Sequence, residues 1–355
     1  GSEVYCRKLL GALAARGDIQ LTLALLGDAA PSFQTLAAER AVFAGDYHLA
    51  RRLWLENRSL ARLAAGADVV FSPANFAVMA PLGRPQVVTV HDLQHAWFPE
   101  HFSAAKRLQR EVMFRLTLQR SARVIAISEF TRQDILARYH PPEGRVATVL
   151  EGAELGAAPS AEDASRVRRA HGLGGHYFAY PATDNPHKDH ATAIRALAIV
   201  RRTHNLDVSL VFTGSRTERY EPIDGLAAEL GLSEHVRHLG FLPHGDVPAL
   251  LAGSAGLIFP SRFEGFGLPL LEAMHAGVPV IASNAASIPE VVGDAGILVA
   301  PGDAAGFADA MRTVLTDPAR RAELTLAGQR NLARFSWDRC AEGTAAVFRS
   351  AAERS

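Results

Sequence analysis

Phe259-Pro260-Ser261-Arg262-Phe263-Glu264-Gly265-Phe266-Gly267-Leu268-Pro269-Leu270-Leu271-Glu272-Ala273-Met274 is the stretch on which the reading of this chain turns. An apolar run ends at Pro260, two glycines allow a tight turn, and Pro269 suits the first position of a helix. That helix meets a natural stop at Gly277, and a new apolar strand follows over 278–282. Strand, turn, helix, strand in this order predicts a parallel α/β unit. The turn over Gly265, Phe266, Gly267 and Leu268 places backbone N–H groups at a helix N-terminus, which binds anions, here a diphosphate. Glu264 just before the turn and Glu272 on the helix both face the same ligand in this reading.

Outward from this stretch the same alternation fills the chain. Apolar runs at 177–180, 208–213, 236–239, 256–260, 278–282 and 297–300 predict the strands of a second domain. Helical patterns lie between them at 190–202, 269–276 and 307–315. In the first half, strands are expected at 19–26, 69–72, 87–90, 124–127 and 146–150, with long helices at 104–122 and 129–139. Ser128 is placed to cap the second of these. The segment 151–165 is rich in Gly, Ala, Pro and acidic residues and has no clear period, so it reads as a linker. These features predict an N-terminal Rossmann-like domain over 1–153, a C-terminal one over 154–335, and a closing helix within 336–355. The chain opens on a helical pattern (Leu9, Leu10, Leu13, Ala14) without the first strand of a Rossmann-like domain, so either that strand is expected upstream of residue 1 or Gly1-Ser2 is foreign to the protein.

Composition narrows the classes. The chain has 355 residues, 48% of them hydrophobic and 21% charged, with Lys plus Arg and Asp plus Glu both 37. Zero formal charge argues against a nucleic-acid partner, which needs a basic surface to release counterions. Cys6 and Cys340 form no disulfide framework, and a cytoplasmic setting is expected. The basic stretch from Lys106 to Arg123 admits a peripheral contact at the inner membrane face. Its charges do not segregate from Val112, Met113 and Phe114, which favours a solvated helix face instead.

Only three lysines occur in the chain, Lys8, Lys106 and Lys188. Lys188 follows the 177–180 strand and opens a helix, where an ammonium can neutralise the charge of a bound phosphate. His187 and Thr183 stand beside it as further donors; His187 and His190 also read as ordinary helix-start histidines. His91-Asp92-Leu93-Gln94-His95 follows the 87–90 strand at its carboxyl end, where parallel sheets present ligand-contacting residues. His91 is the candidate there and His95 reads as structural. Trp97, Phe98 and Pro99 line an acceptor pocket or fill the core. No third ligand at a recognisable spacing joins His91, Asp92 and His95, and no Asp-x-Asp pair exists, so no metal and no other cofactor is expected.

The quoted stretch, with Gly277-Val278-Pro279-Val280-Ile281-Ala282-Ser283, Pro289-Glu290-Val291 and Gly293-Asp294-Ala295-Gly296, resembles the family-four retaining glycosyltransferases. Glu264 and Glu272 match the paired glutamates of that family's signature. The resemblance runs from Gly1 to about Trp337. It implies the GT-B fold, two Rossmann-like parallel-sheet domains facing each other across a cleft. It further implies a hexosyltransferase that uses a nucleotide-sugar donor and a saccharide or lipid-linked acceptor, with retention and without metal. By resemblance Glu264 contacts the donor sugar, Glu272 holds the ribose, Lys188 binds phosphate and His91 addresses the sugar. Gly1 matches the first phosphate-facing glycine loop. Phe241 and Leu242, after Gly240, match the place where relatives hold the base through backbone. The chain departs from most relatives in carrying Thr183, Asp184 and Asn185 where an arginine is usual. The His-Asp-Leu loop and Phe98-Pro99-Glu100 resemble mannosyltransferases of polysaccharide assembly, which implies GDP-mannose ahead of UDP-hexoses. An epimerase or phosphorylase on the same fold, or a non-catalytic carbohydrate-binding protein, is the alternative. A dehydrogenase is disfavoured because no Gly-x-Gly-x-x-Gly follows a strand.

Overall fold

The computed structural model describes residues 2–26, 30–36, 38–43, 59–153, 156–216, 221–243 and 245–353. Gly1 lies outside these residues, so its expected place in a phosphate-facing loop is not described. The chain divides into two compact units, Gly1–Gly152 with Phe335–Ser355, and Ala153–Arg334.

The first unit carries six strands among its described residues, β1 Thr22–Leu26, β2 Glu39–Phe43, β3 Val70–Ser72, β4 Gln86–Val90, β5 Arg123–Ala126 and β6 Val146–Thr148. β3-β4-β5-β6 form one sheet, and β1 pairs with β2. Every pairing is parallel. All five residues of β4 are buried, as expected for a β-branched run covered on both faces. Its cover includes the helix Ala104–Arg120, which buries Phe114, Thr117 and Leu118 and is capped by Ser103 accepting from the Lys106 amide. The helix Glu129–Tyr139 is capped by Ser128 as anticipated and ends at His140, whose φ is +48°. The closing helix Trp337–Ala352 is capped by Ser336. It packs on the opening helix Ser2–Ala14 and against β4 and β5. Phe348 meets Phe71 edge-on at 5.0 Å, and Arg123 donates to the Ser350 hydroxyl at 2.9 Å.

The second unit holds β7 His176–Pro181, β8 Val208–Thr213, β9 Val236–His238, β10 Gly256–Phe259, β11 Val280–Ser283 and β12 Gly296–Val299. They form a parallel sheet in the order β12-β11-β10-β7-β8-β9. Read from its first strand, the order runs outward one way through β8 and β9, then returns to the other side of β7 for β10, β11 and β12. The reversal falls between β7 and β10. In a doubly wound sheet this is the point where the helices after adjacent strands leave on opposite faces and open a crevice at the carboxyl ends.

The linker expected over 151–165 is corrected: it stops at Ser160. There the Ser160 side chain accepts from the Asp163 amide while Asp163 reaches back to the Ser160 amide. This capping box starts the helix Ala161–Ala170, which buries Ala164 and Val167. A polar composition concealed an amphipathic helix with a narrow apolar stripe. β2 went unread because Glu39 and Arg40 begin it and Val42 is exposed, which breaks the strand pattern. The helix of the signature stretch runs Leu268–His275, with Pro269 at its second position and Gly267 as N-cap. Among the described residues no helix is long and apolar enough to cross a membrane.

Candidate functional site

Two segments of the second unit meet at the reversal of its sheet. After β7 the chain passes Thr183, Asp184 and Asn185 into a short 3-10 turn, Pro186–Lys188. Asp189 then takes a left-handed φ of +51° and caps the helix His190–Thr203 through the Thr192 amide. After β10 the chain runs through Pro260 and Ser261 into the Glu264 turn. The two segments are tied by backbone: the Arg262 amide donates to the His187 carbonyl at 2.8 Å, and the Arg262 Nε donates to Asp189 Oδ2 at 2.7 Å.

The tie brings Lys188 and Glu264 together. Lys188 Nζ donates to Glu264 Oε1 at 2.7 Å and to Oε2 at 2.9 Å. The two side chains keep 18% and 12% of their surface exposed, so the pair is largely sheltered yet reachable from solvent. The ammonium also stands 5.9 Å from the centre of the Phe259 ring, a position that favours the cation. Tyr180, fully buried, donates its hydroxyl to the Lys188 carbonyl at 2.8 Å and fixes the backbone that carries the lysine. On the other side, the buried Ser287 hydroxyl lies 2.9 Å from the Glu264 carbonyl and 3.1 Å from the Phe266 carbonyl. Tyr180 and Ser287 were not singled out from the sequence. Tyr180 acts on a residue eight positions on and Ser287 on one 23 positions back, spacings that no helix or strand period reports.

The remaining candidates of the second unit lie on the segments after β7, β9 and β10. Gly267 has φ +106°, and a Cβ there would meet Leu270 Cδ1 at 2.9 Å, so the turn into the helix requires glycine. Phe266 and Gly267 are buried, whereas Gly265, Leu268 and Glu272 are half-buried. Thr183 accepts from the Asn185 amide nitrogen at 2.9 Å. His187 is buried, as is His190, and neither is the solvated helix-start histidine that sequence alone allows. His190 packs against Tyr180 and Phe212, each ring 4.9 Å away. Burial, with help from the nearby His238, pushes its pKa down to about 4. Beyond β9, Phe241 is exposed and Leu242 is buried. The Gly240 carbonyl already accepts from Thr213 Oγ1 at 2.7 Å and from the Gly214 amide at 2.9 Å.

In the first unit His91 follows β4. Its amide donates to Asn75 Oδ1 at 2.8 Å, and its Nε2 lies 2.9 Å from the Pro73 carbonyl. Its Nδ1 lies 3.4 Å from Glu151 Oε1, with both side chains buried. Burial disfavours the imidazolium, but the hydrogen bond and charge of Glu151, aided by the Pro73 carbonyl, outweigh it. The net effect holds the His91 pKa above its ordinary 6.5. Glu151 falls within the segment that reads as a linker from sequence; its place just after β6, at a strand's carboxyl end, is the signal that could find it. His95 lies in the core, stacked on Phe114 at 4.9 Å. Trp97 is half-exposed, with its indole N–H donating to Asp134 at 2.8 Å.

Residues 162–331 match the family described as Glycosyl transferases group 1, and residues 1–156 match Glycosyltransferase Family 4. The chain belongs to these family-four, group 1 glycosyltransferases. It is 28% identical over 284 residues to the O-antigen chain mannosyltransferase B of Escherichia coli, covering 79% of this chain and 74% of that one. It is 31% identical over 272 residues to the glycogen synthase of Mycobacterium tuberculosis, covering 75% and 63% respectively. The chain thus spans less than two thirds of the second relative's length. Among solved structures, Anabaena HepE in complex with UDP superposes with a TM-score of 0.80 at 22% identity, over 99% of this chain and 96% of that one. At that identity the likeness shows a shared fold, the two-sheet α/β architecture of GT-B glycosyltransferases. In this glycosyltransferase Glu264 is held by Lys188 across the sheet reversal.

Proposed function

We propose that this glycosyltransferase moves a hexose, mannose in first place, from a nucleoside diphosphate sugar to a hydroxyl of a saccharide or lipid-linked acceptor, retaining the anomeric configuration. The observation that carries the reading is the Lys188–Glu264 pair at the β7/β10 reversal. A diphosphate arriving at the Leu268–His275 helix terminus would compete for the Lys188 ammonium. That exchange frees the Glu264 carboxylate to face the donor sugar where positive charge develops at the reacting carbon. Lysine and helix terminus together supply the positive field for the leaving diphosphate, which supports transfer without a bound metal. In this reading Glu272, half-buried on the same helix, takes the ribose, and Thr183 and His187, near Lys188 in sequence, add donors for the phosphates. Phe241 offers an exposed ring beside the Gly240 turn for the base. The preference for mannose rests on the Escherichia coli O-antigen mannosyltransferase and on the MMP alpha-(1->4)-mannosyltransferase of Mycolicibacterium hassiacum, 34% identical over 181 residues. UDP-glucose is the second donor to test, because HepE has been solved with UDP and glucose.

Calorimetric titration with GDP, UDP, GDP-mannose and UDP-glucose, each in the presence of a chelator, tests the donor site. One nucleotide family is expected to bind, with Lys188→Ala weakening it by about tenfold or more, the loss of one charge-assisted contact. Absence of binding by all four, or binding indifferent to Lys188, would refute the site.

A further inference from the structure

The first unit holds a buried ionisable pair whose proton count is set by its geometry. The Pro73 carbonyl can only accept, so the His91 Nε2 lying 2.9 Å from it carries a hydrogen. In a neutral imidazole the other nitrogen, Nδ1, would then present a lone pair to the Glu151 carboxylate 3.4 Å away. Two lone pairs facing each other in a buried site repel. A second proton, on Nδ1, turns the contact into an ion pair. Among the described residues no other side chain is hydrogen-bonded to the ring nitrogens. The Tyr5 ring meets His91 edge-on at 4.8 Å, and its hydroxyl is turned away to Thr89 at 3.1 Å. Asp92 adds a further negative charge near the ring, while Cys6 and Cys340 sense the Glu151 charge and have their thiols pushed up by burial to about 11 and about 12.

We propose that Glu151 is a positioning residue for the transfer reaction: it keeps His91 doubly protonated, so that His91 stands at the carboxyl end of β4 as a fixed cation, neither a base nor a neutral hydrogen-bond partner. Its Nε2–H is committed to Pro73 and its Nδ1 edge faces Glu151, so what it offers an electron-rich ligand is its charge. The role rests on the reading of His91 as part of the transfer site. That charge acts only at short range, on a negative or partly negative group in contact with the ring, because Glu151 and Asp92 offset it farther out.

Two readouts test this. In full-length protein labelled at histidine nitrogens, the His91 signals are expected to show protons on both nitrogens at pH 7 and to titrate above the ordinary histidine range. A neutral His91 overturns the proposal, and this measurement needs no variant. In parallel, Glu151→Gln keeps the shape and removes the charge. It is expected to lower the His91 midpoint by about one pH unit or more, and to reduce kcat at pH 7.5 by about tenfold, with donor KM unchanged. Glu151→Asp, which keeps the carboxylate, is expected to restore part of the rate and the alkaline position of the profile; it also serves if Glu151→Gln folds poorly. A Glu151→Gln enzyme with the wild-type rate and pH profile overturns the positioning role. Lys188→Ala and Glu264→Gln in the same assay separate this from a failure of the site itself, since those variants keep full activity only if the transfer reading is wrong.

Discussion

Each unit sets a cation against a carboxylate beyond the carboxyl ends of parallel strands, but the two pairs live under different constraints. Lys188 carries its charge on a flexible stem, touches both oxygens of Glu264 and remains partly exposed. It can change partner when a stronger anion arrives. His91 is a rigid ring, buried and held by Pro73 on one edge and Glu151 on the other. Its partner is fixed and only its protonation can vary. The contrast teaches that a bound ion pair can be an exchangeable device or a standing field, and that stem length and burial decide which. The second unit's pair bridges two strands at a sheet reversal, where the fold opens a crevice. The first unit's pair joins the loops after β3, β4 and β6.

The comparison can be broken most decisively at Glu264. If the exchangeable pair is the reacting one, Glu264→Gln lowers kcat by roughly 10²- to 10³-fold in a transfer assay while the melting temperature stays close to wild type. Full activity in that variant would move the chemistry away from the second unit's pair.

A second contrast concerns pH and two buried histidines with opposite shifts. His190 has its folded pKa lowered from 6.5 to about 4, so the folded state binds fewer protons than the unfolded chain between those values. Stability is therefore lost as pH falls from 6.5 towards 4, by an amount that approaches roughly 3 kcal/mol for the full shift. His91 has its folded pKa raised, so its contribution is complete below 6.5 and is lost as pH rises through the folded value. Melting curves from pH 4.5 to 8.5 should show both limbs, and His190→Phe should flatten the acid one. An acid limb unchanged by that substitution would show that His190 is not its source.

The smallest expected effect sharpens the picture of the first unit's frame. Gly152 lies against the start of the closing helix, and a Cβ there would stand 2.5 Å from the Trp337 backbone nitrogen. Gly152→Ala should cost about 2 kcal/mol in denaturant unfolding, the range for overpacking against backbone that cannot retreat. Gly144→Ala, with nothing within 4 Å of its added Cβ, is the control and should be near neutral. Equal effects at the two positions would mean that the Trp337 contact does not constrain the chain.

Much of the fold was legible because its signals are local. The β4 run, the Ser128 cap, and the Val208–Thr213 and Glu129–Tyr139 elements follow from period, capping chemistry and β-branching within a few residues. The Glu264 turn and the conspicuous Lys188 were legible for the same reason, one from its glycines and the other from the scarcity of lysine. The helix Ala161–Ala170 was missed because two buried residues make a stripe too thin to stand out from acidic neighbours. β2 was missed because its charged start hides a strand at a sheet edge.

Local periodicity in the chain is enough to choose parallel α/β elements and a glycine turn before a helix, since those depend on backbone geometry and neighbours a few residues away. Which charged groups would meet depended on tertiary structure alone. Lys188 and Glu264 are 76 residues apart and touch only because β10 returns to lie beside β7. His91 and Glu151 meet only because the chain after β6 comes back to the loop after β4, bringing a glutamate that local sequence placed in a linker. Strand order is a property of how crossovers pack on both faces of a sheet, and it is this order, not residue type, that decides which carboxylate each cation finds.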